Sequence, residues 1–330
     1  MKYSDLRSDS KCSYHLLRWS LISILLAALF GCAVTDQMTE TVGKTTKTIK
    51  NTSRKITHEI KTIGGHLKKE ILILPFENKS LDRSRDYHIL FQKGIMEYIG
   101  NECEDLVVTH PDSGVQTVPL VEVPRLPSGR PDNYALAIFG RHQGINAVVT
   151  GTLTDVSVVE QTRGVIWKDS KYVVRVVVRV EVFDTHTATK VFDNSYVRTI
   201  EIDEMDYDLI RSGEKLNLPE FSQTLNQLLA DISVDTCYAV SEQSWNDYVR
   251  KVAGDTVIIS AGSKVGLAPG DELDVFGAGK ILEGVDGLRF ITDGPKTAQL
   301  KVKSVLDYTA DAVVVSGGNI EVGDTVKLKD

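Results

Sequence analysis

The hydrophobic and polar positions of this chain change rhythm several times, and each change marks an expected element. Ile71 to Leu74 is a continuous apolar run, the pattern of a strand buried on both faces, and Pro75 ends its ladder. Tyr87, Leu90, Phe91, Ile95 and Tyr98-Ile99 then recur at helical spacing, with Gly100-Asn101 as the stop. Leu106-Val107-Val108 reads as a short second strand, and Asp132 through Leu136 and Phe139 to Gly144 as a second helix. The intervening stretch, Pro111 to Pro131, is proline-rich, without periodicity, and is expected to be an exposed loop.

The most regular pattern follows. A strand runs from Asn146 to Thr154 and extends toward Val159. From Tyr172 to Val182 every even position is Tyr or Val, while the odd positions mix charge with apolar residues. That is a half-buried antiparallel strand with one face on a core. Val182 to Thr185 and Thr189 to Phe192 bracket a hairpin turn that leads to a strand ending near Ile200. Asp203 to Leu218 is acidic and weakly patterned, so no element is predicted there. Pro219 opens a helix with Phe221, Leu225, Leu228-Leu229 and Ile232 on its apolar stripe, fading through Trp245 and Tyr248.

From Val257 onward the chain turns into short strands broken by glycine turns. Five are predicted: 256–259, 272–276, 298–302, 312–315 and 325–328. Gly270-Asp271 and Gly323-Asp324 each introduce one of them. This is the rhythm of a small barrel. The joint between the two folded parts is expected between Tyr248 and Asp255.

The N-terminus differs from both. Lys2, Arg7, Lys11 and Arg18 precede the apolar run from Trp19 to Phe30, the layout of a secretory signal. The run is shorter than the ~20 residues of a permanent span. Leu29-Phe30-Gly31-Cys32 resembles the lipobox of bacterial lipoproteins, in which the cysteine is acylated and becomes the first mature residue. The resemblance implies a signal peptide over 1–31 and lipidation at Cys32, with palmitate among its acyl chains. Ala33 in place of Asp favours outer-membrane sorting under the enterobacterial rule. An ordinary signal peptide or a signal anchor is the alternative. Residues 32–68 form the anchor and tether. Val42, Ile49, Ile56 and Ile63 recur at heptad spacing, but Thr45, Thr52 and Glu59 are poor companions for a core, so the reading is a flexible or partly helical tether, with a coiled coil as the other option.

Charge sharpens this division. The chain carries a formal net charge of −7, and loss of four basic and two acidic leader residues takes it to about −9. That is not the balance of a nucleic-acid binder. Residues 33–70 carry eight Lys/Arg against four Asp/Glu, a basic tether on an acidic body. Of four cysteines, Cys12 leaves with the leader and Cys32 takes lipid, leaving Cys103 and Cys237. In an oxidising compartment these two form a disulfide or remain as buried thiols.

Ile73-Leu74-Pro75-Phe76-Glu77-Asn78, Ala147-Val148-Val149-Thr150-Gly151-Thr152 and Val182-Phe183-Asp184-Thr185-His186-Thr187 together resemble a periplasmic α/β module. That module recurs in flagellar assembly protein T, the curli secretion lipoprotein and the lipoprotein activators of peptidoglycan synthases. Ser260 to Leu267 and Pro269-Gly270-Asp271 resemble the C-terminal small barrel of flagellar assembly protein T. The expected class is therefore α+β: a three-layer-like α/β domain with a mixed sheet over 69–250, then a small all-β SH3-like barrel over 251–330.

No catalytic constellation stands out. Seven histidines are scattered without metal-ligand spacing. Gly277-Ala278-Gly279-Lys280 lacks the spacing and the Ser/Thr of a phosphate loop. No Gly-x-Ser-x-Gly elbow occurs. Trp167, Trp245 and Tyr248 are expected in core or interface. The expectation is a non-enzymatic scaffold or assembly factor on the periplasmic face of the outer membrane, with no cofactor, metal, nucleic acid or small-molecule substrate. Its partners would be envelope proteins or further copies of itself, and the flagellar basal body is one such assembly. A curli-type secretion channel and an activator of a peptidoglycan synthase are the alternatives.

Overall fold

A computed structural model describes residues 67–80, 86–109, 122–163, 169–212 and 219–329. The leader, Cys32 and the tether lie outside the described residues, as does Trp167. The order of elements up to residue 241 is β1 (Lys69–Ile73), β2 (Glu77–Asn78), α1 (Tyr87–Glu102), β3 (Leu106–Val108), α2 (Asn133–Gln143), β4 (Ala147–Arg163), β5 (Asp169–Asp184), β6 (Lys190–Ile202), α3 (Glu204–Arg211) and α4 (Pro219–Ser241). The sheet runs β3-β1-β4-β5-β6, with β2 also on β4. It is mixed. β3, β1 and β4 pair in parallel, whereas β4, β5 and β6 form an antiparallel meander.

Hydrophobic pattern explains how the sheet is covered. Ile71 and Ile73 of β1 and the even-numbered valines 174–182 of β5 face one side, where they meet Phe91, Ile95 and Ile99 of α1 and Leu228 and Ile232 of α4. Leu72, Leu74 and Val148 face the other side, against Leu136 of α2. β1 therefore sits between two layers, as its unbroken apolar run requires. The outer part of the β4–β5 hairpin has helices on one side only, which is why charge alternates with valine along β5.

α3 is a helix where no element is expected. None of its residues is fully buried, but Tyr207 and Ile210 pack half-buried against the main core. The rest of its support is local. The Asp203 side chain accepts from the Asp206 amide at 2.8 Å, Glu204 and Asp206 sit in the first turn and Arg211 in the last. Tyr207 stacks on Tyr172 of β5, with ring centroids 4.3 Å apart.

The C-terminal part contains β7 (Asp247–Ala253), β8 (Thr256–Ile259), β9 (Glu272–Phe276), β10 (Ile281–Glu283), β11 (Arg289–Ile291), β12 (Lys296–Val305), β13 (Ala310–Gly317) and β14 (Thr325–Leu328). Six of these close a barrel in the order β12-β13-β8-β7-β14-β9. The five expected strands are all present, and β7 is the sixth. It begins at Asp247, ahead of the 250/251 division expected from sequence, and spans most of the expected joint. β7 escapes pattern reading because Asp247, Tyr248 and Val249 are all buried in succession, without alternation. β10 and β11 pair only with each other, as an arm outside the barrel.

Residues 65–330 form one compact unit. Leu67, just before β1, belongs to the barrel's apolar core, and the Lys68 amide donates to the Val265 carbonyl at 2.8 Å. The chain therefore enters the α/β part by way of the barrel.

Candidate functional site

Of the residues singled out from sequence, Cys32 lies outside the described residues. Cys103 and Cys237 are brought together. Cys103 caps the C-terminus of α1 and Cys237 lies in the last turns of α4; the structure joins them as a disulfide with Cα atoms 6.1 Å apart. Both are buried beside the main core. The helices can pack this closely because α1 carries Gly94, where a Cβ would come within 2.6 Å of the Leu229 side chain. Trp245 packs against the barrel core, Tyr248 is fully buried, and Gly277 to Lys280 links β9 to β10. Among the described residues no group of three or more His, Cys, Asp or Glu is placed to hold a metal ion. No helix among them is long and apolar enough to cross a membrane.

The densest polar chemistry lies where the α/β part meets the barrel. Glu70 donates its amide to the Asn146 side chain at 2.6 Å, and the Asn146 amide donates back to the Glu70 carbonyl at 2.8 Å. The Asn146 side-chain nitrogen then donates to the Asn246 carbonyl, one residue before β7. Thr185, which follows β5, donates to the Ile145 carbonyl at 2.5 Å and lies 3.0 Å from the Tyr248 hydroxyl. Tyr248 in turn donates to the Asn246 side chain at 3.1 Å. Arg141 of α2 lies over the Tyr248 ring at 4.9 Å and donates to Thr325 of β14 at 3.1 Å. α2 ends close to the barrel because Gly144 adopts φ +77°; a Cβ there would fall 2.5 Å from that of Ser260.

Two carboxyls are buried in this seam. Burial pushes Glu70 up to about 8, and the neighbouring Asp247 adds to the rise while Thr109 and Arg250 oppose it. Burial likewise lifts Asp247 to about 7 against hydrogen bonds from Ser260 and the Tyr248 amide. Glu70 Oε1 accepts no hydrogen bond from the described residues, and an isolated buried carboxylate is costly, so the proton stays on. At the rim, His186 Nε2 contacts Asp293 at 2.5 Å, and Lys327 reaches the same carboxylate at 3.0 Å. Burial and the Lys327 charge lower the His186 pKa despite Asp293.

Of these seam residues the sequence singles out Tyr248, as a core or interface residue, and Thr185 and His186, within the third motif of the module resemblance. Glu70, Asn146, Thr185 and Asn246 each lie at or just beyond an end of an element, where polar residues are ordinary. The signal available is that each flanks an apolar strand. The barrel also closes on itself, so it offers no open edge as a contact surface; the terminal strands of the main sheet are β3 and β6.

No protein-family model matches this chain, and no curated protein matches it. Solved structures share parts of its arrangement. The hypothetical protein CT253 from Chlamydia trachomatis is 15% identical, with a TM-score of 0.33, over 53% of this chain and 99% of that one. Lipoprotein GNA1162 from Neisseria meningitidis is 14% identical, with a TM-score of 0.27, over 44% and 93%. A PelC dodecamer from Paraburkholderia phytofirmans is 14% identical, with a TM-score of 0.29, over 51% and 88%. Similarity this low assigns the chain to no family and carries no role across.

Proposed function

We propose that this protein is a lipid-anchored, non-enzymatic scaffold of the bacterial envelope, held by Cys32 to the periplasmic face of the outer membrane. The observation that carries the reading is the leader ending in Leu29-Phe30-Gly31-Cys32, followed by a basic tether and a folded body. Acyl chains each contribute ~0.8 kcal/mol per buried CH₂, and more than one gives stable anchoring. A body confined to a membrane meets partners in the same layer at high effective concentration. The buried seam supports the scaffold role, because two parts joined this way present their surfaces at a fixed spacing. An envelope machine such as the flagellar basal body is the kind of assembly it would serve.

The test is replacement in cells. A lipid-free body secreted to the periplasm should fail to restore the deletion phenotype in motility or envelope integrity, while its melting temperature matches that of the anchored body. Full restoration by the lipid-free body would refute the anchored scaffold.

One observation favours a second reading, a secretion channel of the curli type. β4 and β5 are 17 and 16 residues long, beyond the ~9–11 a membrane-crossing strand needs. Against it, the hairpin carries Glu160, Lys171 and Arg175, and one of its faces is already packed by Tyr207. Ion conductance of purified oligomer in planar bilayers separates the two: conductance supports the channel, and its absence supports the scaffold.

A further inference from the structure

The face of the sheet opposite α1 and α4 is only partly covered by α2, and beside α2 lies a cleft of about 630 Å³. Its floor is Thr152 and Thr154 of β4 and Arg179 and Glu181 of β5. One wall is the turn from Arg125 to Pro131, pinned by the Arg125–Glu77 ion pair and by a 2.8 Å bond from the Gly129 amide to the Leu126 carbonyl. The other wall is the β10–β11 arm, which contributes Leu288 and Phe290. That arm is fastened to α2, since the buried Asn133 side chain donates to the Ala188 carbonyl at 2.7 Å and to the Arg289 carbonyl at 2.6 Å. Arg130 closes the circle by bonding Asp286 on the arm at 2.7 Å. Clefts walled by separate parts of a fold are where ligands most often bind.

The charge of this cleft runs against that of the protein. On a chain of net charge −7, its described lining carries Lys79, Arg125, Arg130, Arg179 and Lys190 against the single carboxylate Glu181. Three further carboxylates, Glu77, Asp193 and Asp286, pair with these cations from behind or at the rim, which leaves the cluster at about +1. Those pairs also fix the donors. Asp193 holds Arg179 through Nε at 2.8 Å and Nη2 at 2.7 Å, and Lys190 bridges to Glu181 at 2.9 Å. The Arg179 hydrogen bond, with Lys190 beside it, keeps Asp193 at about 2, so that carboxylate is ionised throughout the neutral range. Asp193 takes Nε and Nη2, and Nη2 also lies 3.3 Å from Glu181, which leaves Nη1 as the donor for a ligand. Hydroxyls of Ser128, Thr152, Thr154 and Thr189 line the rest, beside the half-buried Phe290.

We propose that this cleft binds a sugar carrying one acidic group. The surplus of one positive charge and the fixed guanidinium suit a single carboxylate or phosphate, the hydroxyls suit a hydroxylated ring, and Phe290 supplies an apolar surface for its C–H face. The site is independent of the anchored-scaffold reading.

Titration calorimetry of the full chain in detergent tests it with four probes: N-acetylmuramic acid, glucose 1-phosphate, N-acetylglucosamine and inorganic phosphate. At least one acidic sugar should bind with Kd below about 1 mM, and N-acetylglucosamine and phosphate should bind far more weakly. Whichever acidic sugar binds identifies the source of the anionic group. Arg179→Gln should weaken that binding about tenfold, the effect of one lost charge-assisted hydrogen bond. Lys171→Gln, which removes a cation paired with Glu201 outside the cleft, should leave it unchanged. Because Arg179 also holds Asp193, a second variant, Thr152→Val, and the melting temperature of each protein separate loss of binding from loss of fold; Thr152→Val should weaken binding at unchanged melting temperature. Absence of binding by both acidic sugars overturns the proposal. So does equal binding of N-acetylglucosamine, which removes the role of charge, or equal binding of phosphate, which removes the role of the ring.

Discussion

The apolar core under α1 and α4 and the seam between the α/β part and the barrel are both buried, but they are built from opposite chemistry. The core is a sheet face of isoleucine and valine met by Phe91, Ile95, Leu228 and Ile232. Its stabilisation scales with area removed from water and depends little on direction. The seam is made of Glu70, Asn146, Thr185, Asn246, Asp247 and Tyr248, each near-fully buried. Its net contribution per hydrogen bond is small, on the order of 1 kcal/mol, but leaving one partner unmade costs more. This core makes the α/β part fold and a separate apolar core fills the barrel, whereas the seam fixes one part against the other.

That contrast is most easily broken in the core. Phe91→Ala removes a fully buried ring and should cost about 3–5 kcal/mol, lowering the unfolding midpoint in urea. A loss below about 1 kcal/mol would show that α1 does not pack as described. The paired replacement Cys103→Ser, Cys237→Ser should cost about 2–5 kcal/mol, as removal of a native disulfide commonly does. Reducing agent should then have no further effect on the double variant, and mass spectrometry of alkylated wild-type protein should find both thiols blocked.

In the seam the effects are of another kind. Asn146→Ala strands the Glu70 amide and the Asn246 carbonyl, at about 1–3 kcal/mol for each buried group. It should raise hydrogen exchange along β7 more than along β4. Equal acceleration of both would mean that the residue is part of the general core. Glu70→Gln addresses the buried carboxyls. The folded values of about 8 for Glu70 and about 7 for Asp247 lie above the ordinary 4.5 and 3.8, so the folded state holds protons the unfolded state releases. Stability from this source is complete below about pH 4 and is lost as pH rises through about 8. Gln mimics the protonated acid, so the variant should match the wild type at pH 4, exceed it at pH 8.5, and show a shallower decline between. A decline as steep as that of the wild type would contradict the assignment.

How much of this is legible in the sequence follows the same division. Strands and helices with an apolar rhythm, such as β5 and the stripe of α4, can be read because burial alternates with a fixed period. α3 cannot, because it is only two turns long and buries none of its residues fully, and β7 cannot, because three successive positions are buried regardless of period. The seam has no rhythm at all. Asn146 and Thr185 are polar residues at strand ends, and only the closing of β4 and β5 against the barrel makes them a network. The acidic-sugar cleft is equally hidden, since its cations come from four distant stretches and stand out only when the β10–β11 arm folds across the sheet.

Calorimetry of thermal unfolding tests most directly whether the two parts form one body. With the seam intact, the folded chain should unfold in a single transition whose calorimetric and van't Hoff enthalpies agree. Two resolved transitions in the wild-type protein, one for the α/β part and one for the barrel, would contradict it.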